Sequence, residues 1–171
     1  MELYLLRHAP AGVRDPRRYP SDPERPLTRK GKLKMVLAAR GLRTLGLEFD
    51  LILTSPLVRA RQTARIVRSV LRAPARVRLF RPLSPGVEPE SVVHALADFP
   101  AAKRLILVGH EPGLSQLAGF LLAGKGSGVS LALKKGGLCG IDFEGGVSPG
   151  AGRLIFHLTP RVLRLLGSRS G

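Results

Sequence analysis

Three short apolar runs recur along the chain at wide intervals, at residues 3–6, 51–54 and 105–108, and none of them contains a charged residue. A strand that is covered by helices on both faces is apolar at successive positions rather than at alternate ones. The three runs therefore predict interior strands of a parallel sheet.

Helical spacing of apolar residues separates these runs. Thr28 has the character of a helix N-cap, and the helix that it begins is predicted to reach about Leu45. A second helix is predicted from near Leu57, with Ala60 and Ala64 on its apolar face. Residues 9–27 are too rich in proline and charge to form an element. The alternation of strand and helix predicts an α/β fold: a mostly parallel sheet with helices on both faces.

The remainder of the chain carries shorter signals. We predict helices at 90–98 and 114–122, strands at 77–80, 129–133, 138–143 and 154–158, loops at 82–89 and 124–128, turns at 145–146 and 149–150, and one helical turn at 161–166. The last few residues are expected to fray.

The length and composition fit one globular domain over residues 1–171, because 44% of the residues are hydrophobic. No apolar run approaches the length of a membrane span, and we expect no secretory signal, since a candidate nucleophile lies at residue 8. Cys139 is the single cysteine, so no internal disulfide can form. The expected location is the reducing cytoplasm.

The net charge of +16, from 28 Lys and Arg against 12 Asp and Glu, favours anionic partners without choosing among them. Aromatic residues make up only 5% of the chain, Trp is absent, and there is no zinc-finger or RNA-recognition signature. The basic residues are also scattered through every predicted helix. A nucleic-acid partner is therefore disfavoured despite the charge.

Chemistry-bearing residues follow all three apolar runs. Arg7 and His8 end the first run, Arg59 falls in the first turn of the helix after the second, and His110 follows the third. A lone histidine at a strand end is more often structural, but ligands of open α/β sheets collect at the carboxyl ends of the strands. Neutral imidazole is a nucleophile near pH 7, and arginine donates in a planar fork to phosphate. Three such placements at one edge predict a phosphate site.

These residues stand in three ordered motifs that together resemble the histidine phosphatase superfamily, with a phosphoglycerate mutase-like fold. The motifs are Arg-His-Ala at 7–9, Ser-Pro-Leu-Val-Arg-Ala-Arg-Gln-Thr-Ala at 55–64 and Gly-His-Glu-Pro at 109–112. The resemblance extends from residue 2 to about 143. Chain length, Arg-His-Ala in place of Arg-His-Gly, and Arg-Pro-Leu-Thr at 25–28 make it most similar to the small SixA-type phosphohistidine phosphatases.

The resemblance implies that His8 is the nucleophile and that Arg7, Arg59 and His110 form the phosphate pocket, with a protonated His110 as a further donor. It also matches Arg25 to a phosphate-side position and Asp22 to an acidic neighbour in the same loop. No metal and no cofactor are expected, because no cluster of carboxylates offers a magnesium site.

The sequence departs from the family pattern at two points. Ala9 replaces the usual glycine after the nucleophile. Larger members also carry a Glu that protonates an alcohol leaving group, and the segment between the second and third motifs has no clear match. Glu88 is the nearest candidate, although an exposed loop position is the simpler interpretation. Because a protonated imidazole leaves phosphorus more readily than an alkoxide, a weak acid site favours phosphohistidine as substrate.

The leading hypothesis is a metal-independent phosphatase that forms a phosphohistidine intermediate and acts on phosphohistidine in proteins. An alternative enzyme is a broad phosphomonoesterase or mutase-like enzyme, whose substrate would be a small phosphate compound. A non-enzymatic alternative is a polyanion-binding protein that holds phosphate without turnover. His94, His157 and Cys139 are interpreted as structural. The segment 134–137 either borders the pocket or forms a solvated hairpin.

Overall fold

A computed structural model describes residues 1–72, 75–124 and 128–169, which form one six-stranded sheet with helices on both sides. The strands are β1 (Glu2–Arg7), β2 (Leu51–Thr54), β3 (Arg76–Leu79), β4 (Arg104–Gly109), β5 (Leu138–Asp142) and β6 (Arg153–Leu158). Their order across the sheet is β3-β2-β4-β1-β5-β6.

The first four strands of that order are parallel, and β5 and β6 complete the sheet in antiparallel fashion. The predicted mostly parallel α/β fold is therefore confirmed. Because β1, β2 and β4 are parallel neighbours, their carboxyl ends lie at the same edge of the sheet. The register aligns Arg7 with Gly109, which places the two motif histidines next to each other at that edge.

In the described ranges, five α-helices cover the sheet: α1 (Arg29–Thr44), α2 (Val58–Leu71), α3 (Pro89–Leu96), α4 (Gly113–Ala123) and α5 (Pro160–Ser168). The side chain of Thr28 accepts a hydrogen bond from the Gly31 backbone N–H at 2.9 Å, which confirms the predicted N-cap. No helix within the described part of the chain is long and apolar enough to cross a membrane.

Successive side chains of the interior strands enter two separate hydrophobic cores. Leu6 of β1 and Ile52 of β2 pack with buried residues of α1, α2 and α5. Leu5 of β1 and Leu107 of β4 pack with buried residues of α3 and α4 on the opposite face. Both faces of the interior strands are thus covered, which explains why the strands are continuous apolar runs.

Two predicted elements were wrong. Residues 129–133 form no strand; they run as irregular chain, and the backbone of Leu133 bonds to Glu111 and Arg7 instead of to a neighbouring strand. Helix α5 spans Pro160–Ser168 rather than a single turn, because Thr159 caps it and Gly167 packs closely on α1. A Cβ at Gly167 would lie 1.9 Å from the Leu37 carbonyl oxygen, so only glycine permits this approach.

The loop predictions need smaller amendments. The loop 9–27 contains a short 3-10 helix at Asp22–Glu24, and a second one lies at Arg81–Leu83 in the predicted 82–89 loop region. Of the predicted 124–128 loop, residues 125–127 lie outside the described part of the chain. The same holds for residues 170–171 of the end that we expected to fray.

Candidate active site

The centre of the candidate site is a pair of buried histidines at the ends of β1 and β4. The His8 backbone N–H donates to the Gly109 carbonyl oxygen at 3.1 Å, which continues the pairing of the two strands past their ends. The imidazole rings of His8 and His110 lie 5.1 Å apart between centroids and are inclined by 54°. Each residue is about one-twentieth exposed, at 6% and 5%.

The tautomer of His8 follows from the one hydrogen bond that its ring makes among the described residues. Its Nδ1 lies 2.7 Å from the carbonyl oxygen of Ala9, and a carbonyl can only accept, so Nδ1 carries the proton. In the neutral ring the lone pair is then on Nε2. The hydrogen bond therefore both orients the ring and assigns the nucleophilic atom.

His8 is held neutral by its surroundings. Burial is the largest cause that lowers the pKa of His8 to about 4, and the Arg59, Arg7 and Lys135 charges act in the same direction. The hydrogen bond to Ala9 opposes them but does not outweigh them. At neutral pH the Nε2 lone pair is accordingly available.

Ser55 fixes the ring of His110, since the Ser55 Oγ lies 2.8 Å from His110 Nε2. His110 Nδ1 is buried and has no hydrogen-bond partner in the structure. Burial, then the His8 and Arg59 charges, lower the pKa of His110 to about 3. The expected charged His110 is thus not the state of this site at neutral pH. A phosphoryl dianion beside the ring would raise the pKa, because an opposite charge favours protonation.

Arg59 reaches the site from the first turn of α2, and it is only 5% exposed. Its Nη1 donates to the Asp22 backbone carbonyl at 2.9 Å and its Nη2 to the Asp22 carboxylate at 3.0 Å. The Arg59 Nε is buried without a partner. Two donors therefore anchor the guanidinium to the 3-10 helix, and Nε remains for another acceptor.

Asp22 joins two arginines through its carboxylate. Its second carboxylate oxygen accepts from Arg25 Nε at 3.0 Å, while Arg25 Nη1 donates to the Gly12 carbonyl at 2.6 Å. Burial alone would raise the pKa of Asp22, but Arg59 and Arg25 outweigh it and lower the pKa below its usual range. Asp22 is therefore an anion that orients Arg59, and Arg25 contacts Asp22 and Gly12 rather than either histidine.

We expect Asp22→Ala to lower kcat/KM about tenfold, because hydrogen bonds to charged groups contribute about 1.5–3 kcal/mol and Arg59 would lose one of its two anchors. Asp22→Asn should cost less, since its amide oxygen can still accept the hydrogen bond from Arg59 Nη2 that Asp22→Ala removes. Steady-state kinetics of both variants check this, with exposed Glu24→Ala of the same 3-10 helix as the matched control. An Asp22→Ala enzyme as active as Glu24→Ala would contradict the anchoring role.

Arg7 comes from the last position of β1 and is half-buried. Its Nη1 donates to the Leu133 carbonyl at 2.7 Å, and its Nε is buried without a partner. Its backbone exchanges hydrogen bonds with Gly136 and Gly137, at 3.0 and 3.2 Å. The segment 134–137 therefore borders the pocket, as one of the two interpretations predicted, and the exposed Lys135 contributes to the positive field at His8.

The unpartnered nitrogens characterise the site. Within the part of the chain that the structure describes, four buried side-chain nitrogens lack a hydrogen-bond partner: Arg7 Nε, Arg59 Nε, Arg61 Nε and His110 Nδ1. Three of them belong to the residues that the motifs singled out. Buried N–H donors without acceptors are rare and costly in folded proteins. Arg7 and Arg59 act electrostatically on His8, and the ring of His110 lies beside it. Free donors on such residues are typical of a site whose natural ligand is an oxyanion.

Two further residues of the second motif make hydrogen bonds around the site, and the sequence alone did not indicate their roles. Thr63 Oγ1 accepts from the Ala9 backbone N–H at 3.1 Å and donates to the Arg59 carbonyl at 2.8 Å. Gln62 Oε1 accepts from the Leu27 backbone N–H at 2.8 Å. Their presence in an otherwise recognisable motif was the only available signal, since the partners are 35 and 54 residues away.

No carboxylate of the 81–88 segment faces the histidines. Glu88 is exposed at the start of α3 and makes no side-chain cap. Beside His110 the structure forms a small cavity that is mostly apolar, and Glu111 is its one acidic lining residue. One Glu111 oxygen accepts from both Ser115 Oγ and the Leu133 N–H. Among the described residues, no group of three or more His, Cys, Asp or Glu is arranged to hold a metal ion.

We expect the His8 ring to titrate near pH 4 instead of near the ordinary 6.5. The lowered pKa means that acidification removes the Nε2 lone pair only as the pH falls through about 4. Activity limited by this group should therefore persist at pH 5–6, where an ordinary histidine would already be largely protonated. A ring-proton NMR titration of the free protein measures the pKa directly, and a midpoint for His8 near 6.5 would contradict the prediction.

Comparison with known proteins agrees with this geometry. A model of the histidine phosphatase superfamily, branch 1, matches residues 3–79. An uncharacterised protein of Picosynechococcus sp. is 40% identical over 170 residues, which cover 98% of this chain and 96% of the relative.

Two solved structures have a similar fold. The protein histidine phosphatase SixA complexed with tungstate matches with a TM-score of 0.82 and 24% identity, over 95% of this chain and 99% of that one. The alpha-ribazole phosphatase from Shigella flexneri matches with a TM-score of 0.67 and 19% identity, over 94% and 97%. At these identities the two structures establish the shared fold.

Proposed function

This chain belongs to the histidine phosphatase superfamily, and from that premise we propose that it removes phosphoryl groups from phosphohistidine in proteins. The observation that carries the proposal is the combination of a neutral His8, with Nε2 free, and buried arginine and histidine nitrogens that have no hydrogen-bond partner. This combination supplies a nucleophile and an oxyanion cradle. It supplies no evident acid for an alcohol leaving group.

In the proposed reaction, His8 Nε2 attacks phosphorus as the bond from phosphorus to the leaving nitrogen breaks. The proton stays on His8 Nδ1, and its hydrogen bond to the Ala9 carbonyl oxygen stabilises the developing positive ring. Arg7 and Arg59 donate to the equatorial oxygens, where negative charge accumulates in the transition state. Water then attacks the phosphoryl-His8 intermediate, which releases inorganic phosphate and restores the neutral imidazole.

The surroundings of His110 support phosphohistidine over an alcohol ester. An alkoxide needs a proton as it leaves, and the cavity beside His110 offers Glu111 alone, whose Oε1 already accepts two hydrogen bonds. An imidazole can leave as a neutral ring after protonation on its own nitrogen. The reaction that this site favours is therefore transfer of a phosphoryl group from a nitrogen atom rather than from an alcohol oxygen.

The experiment is turnover of a phosphohistidine peptide and of p-nitrophenyl phosphate, side by side and with EDTA present. We expect hydrolysis of both, a higher kcat/KM for the peptide, and no loss on chelation. A protein that hydrolyses neither compound while it binds phosphate would instead be the polyanion-binding alternative. Loss of activity in EDTA that added metal restores would contradict the metal-independent mechanism.

A broad phosphomonoesterase is the second candidate, and the fold similarity to an alpha-ribazole phosphatase favours it. It uses the same pocket, so leaving-group preference rather than site geometry separates the two. The proposed partner is accordingly a phosphorylated protein or a small phosphate compound, for which the net charge of +16 provides attraction. The single cysteine supports the proposal of a cytoplasmic location.

A further inference from the structure

Glu111 makes contacts that its place in the third motif does not explain. It follows His110 directly, and its Oε1 accepts from Ser115 Oγ at 2.7 Å and from the Leu133 backbone N–H at 3.1 Å. We propose that Glu111 is a positioning residue: its carboxylate holds the Leu133 peptide, and the Leu133 carbonyl aims the Arg7 guanidinium at the phosphoryl group. This inference rests on the proposed function, in which Arg7 binds that group.

The guanidinium of Arg7 depends on Leu133 for its orientation. The bond from Nη1 to the Leu133 carbonyl, at 2.7 Å, is the one side-chain hydrogen bond of Arg7 among the described residues. A guanidinium is planar, so one fixed nitrogen and the buried stem restrict the direction of the others. The Nε that lacks a partner is buried in the same side chain. Displacement of the Leu133 carbonyl would therefore change the direction in which the Arg7 Nε–H points.

The Leu133 peptide is not held by the sheet. Residues 129–134 form irregular chain, whereas the turn at 135–136 and Gly137 are bonded to the backbone of Arg7. Leu133 itself is tied at its N–H to Glu111 and at its carbonyl to Arg7, and its side chain is 1% exposed in the core beneath α4. Glu111 and Arg7 thus bond to the two peptide groups on either side of the Leu133 Cα, and Glu111 is the polar anchor on the N–H side of this residue.

The arrangement links two phosphate-site residues that come from different strands. Glu111 shares a backbone segment with His110 at the end of β4, and Arg7 ends β1. Because the backbone of Leu133 bonds to the carboxylate at its N–H and to the guanidinium at its carbonyl, it connects the two strand ends through two hydrogen bonds in addition to the strand pairing. Catalysis by preorganised donors is sensitive to misplacement of about 1 Å.

A double-mutant cycle tests the proposal, with orthovanadate affinity and the kcat/KM for a phosphohistidine peptide as readouts. We expect Glu111→Ala to lower both by about tenfold in the wild-type background, and by less than about twofold when Arg7 is already alanine. Glu111→Gln keeps an oxygen that accepts from the Leu133 N–H, so it should restore both readouts to within about threefold of wild type.

Ser115→Ala is the matched control, because it removes the other hydrogen bond to the same Glu111 oxygen and leaves the Leu133 bond. We expect its two readouts to stay within about twofold of wild type. Equal losses from Glu111→Ala with and without Arg7, or no recovery in Glu111→Gln, would overturn the proposal and leave Glu111 a structural residue. If wild-type protein hydrolysed no phosphorylated compound, the proposed function would fail. The double-mutant cycle measured by orthovanadate affinity would still decide the role of Glu111.

Discussion

We expect His8→Ala to abolish turnover while the protein continues to bind phosphate mimics. We expect kcat to fall by at least about 10⁴-fold, because removing a nucleophile eliminates the covalent route and leaves only the oxyanion cradle. Vanadate affinity should change by less than about tenfold, since Arg7 and Arg59 are anchored by Leu133 and Asp22 rather than by His8. Initial rates and equilibrium binding on the same preparation measure both quantities.

The matched control is His94→Ala, because His94 is exposed on α3 and distant in sequence from every motif. It should retain wild-type turnover. A brief reaction quenched in base should also leave a phosphoryl group on His8 in wild-type protein, which peptide mass spectrometry can locate. Turnover by His8→Ala at the wild-type rate, or a phosphoryl group on a different residue, would exclude the proposed intermediate.

The principal strands and their histidines were predictable because the relevant forces are local. Interior parallel strands must be apolar at successive positions, and residues 3–6, 51–54 and 105–108 meet that requirement. All three runs lie in β1, β2 and β4, which are parallel neighbours. Once parallel pairing was inferred, the residue after each run had to lie at one edge. The convergence of His8 and His110 follows from that step alone.

The error at residues 129–133 has a different physical cause. The run Val-Ser-Leu-Ala-Leu has large apolar side chains at alternate positions with small ones between them, as a half-buried strand can have. Periodicity describes which side chains are buried, but it says nothing about where the backbone hydrogen bonds go. Here the Leu133 peptide bonds to Glu111, 22 residues away, and to Arg7, 126 residues away. No local pattern could show those partners.

The role of Asp22 could not be predicted from the sequence, for a related reason. The resemblance located Asp22 in the loop beside the phosphate pocket, but a carboxylate there has two opposite uses: it can repel the ligand or orient the cations that bind it. The choice depends on the bonds to Arg59 and Arg25, which join residues 37 and 3 positions away. The short 3-10 helix that presents Asp22 is stabilised by these contacts rather than by an apolar pattern.

The second large effect concerns the leaving group. With Glu88 exposed and Glu111 engaged at one oxygen by two donors, we expect kcat/KM to fall by about 10²–10⁴-fold from phosphohistidine to an alkyl phosphate, the range that general acid catalysis usually contributes. Aryl phosphates should lie between the two, because a phenolate leaves with less need of a proton. The measurement is a plot of log kcat/KM against the pKa of the leaving group over a series of substituted phenyl and alkyl phosphates.

A steep negative slope in that plot means that negative charge develops on the leaving oxygen without a proton from the enzyme. Glu88→Gln separates this case from hidden acid catalysis, because it removes the proton of the nearest candidate and keeps the shape of the side chain. We expect it to leave phosphohistidine turnover within about twofold and the slope unchanged. A shallow slope in wild type that becomes steep in Glu88→Gln would identify Glu88 as the acid and move the protein to the phosphomonoesterases. The exposure of Glu88 and the apolar lining beside His110 both favour the steep slope in wild type.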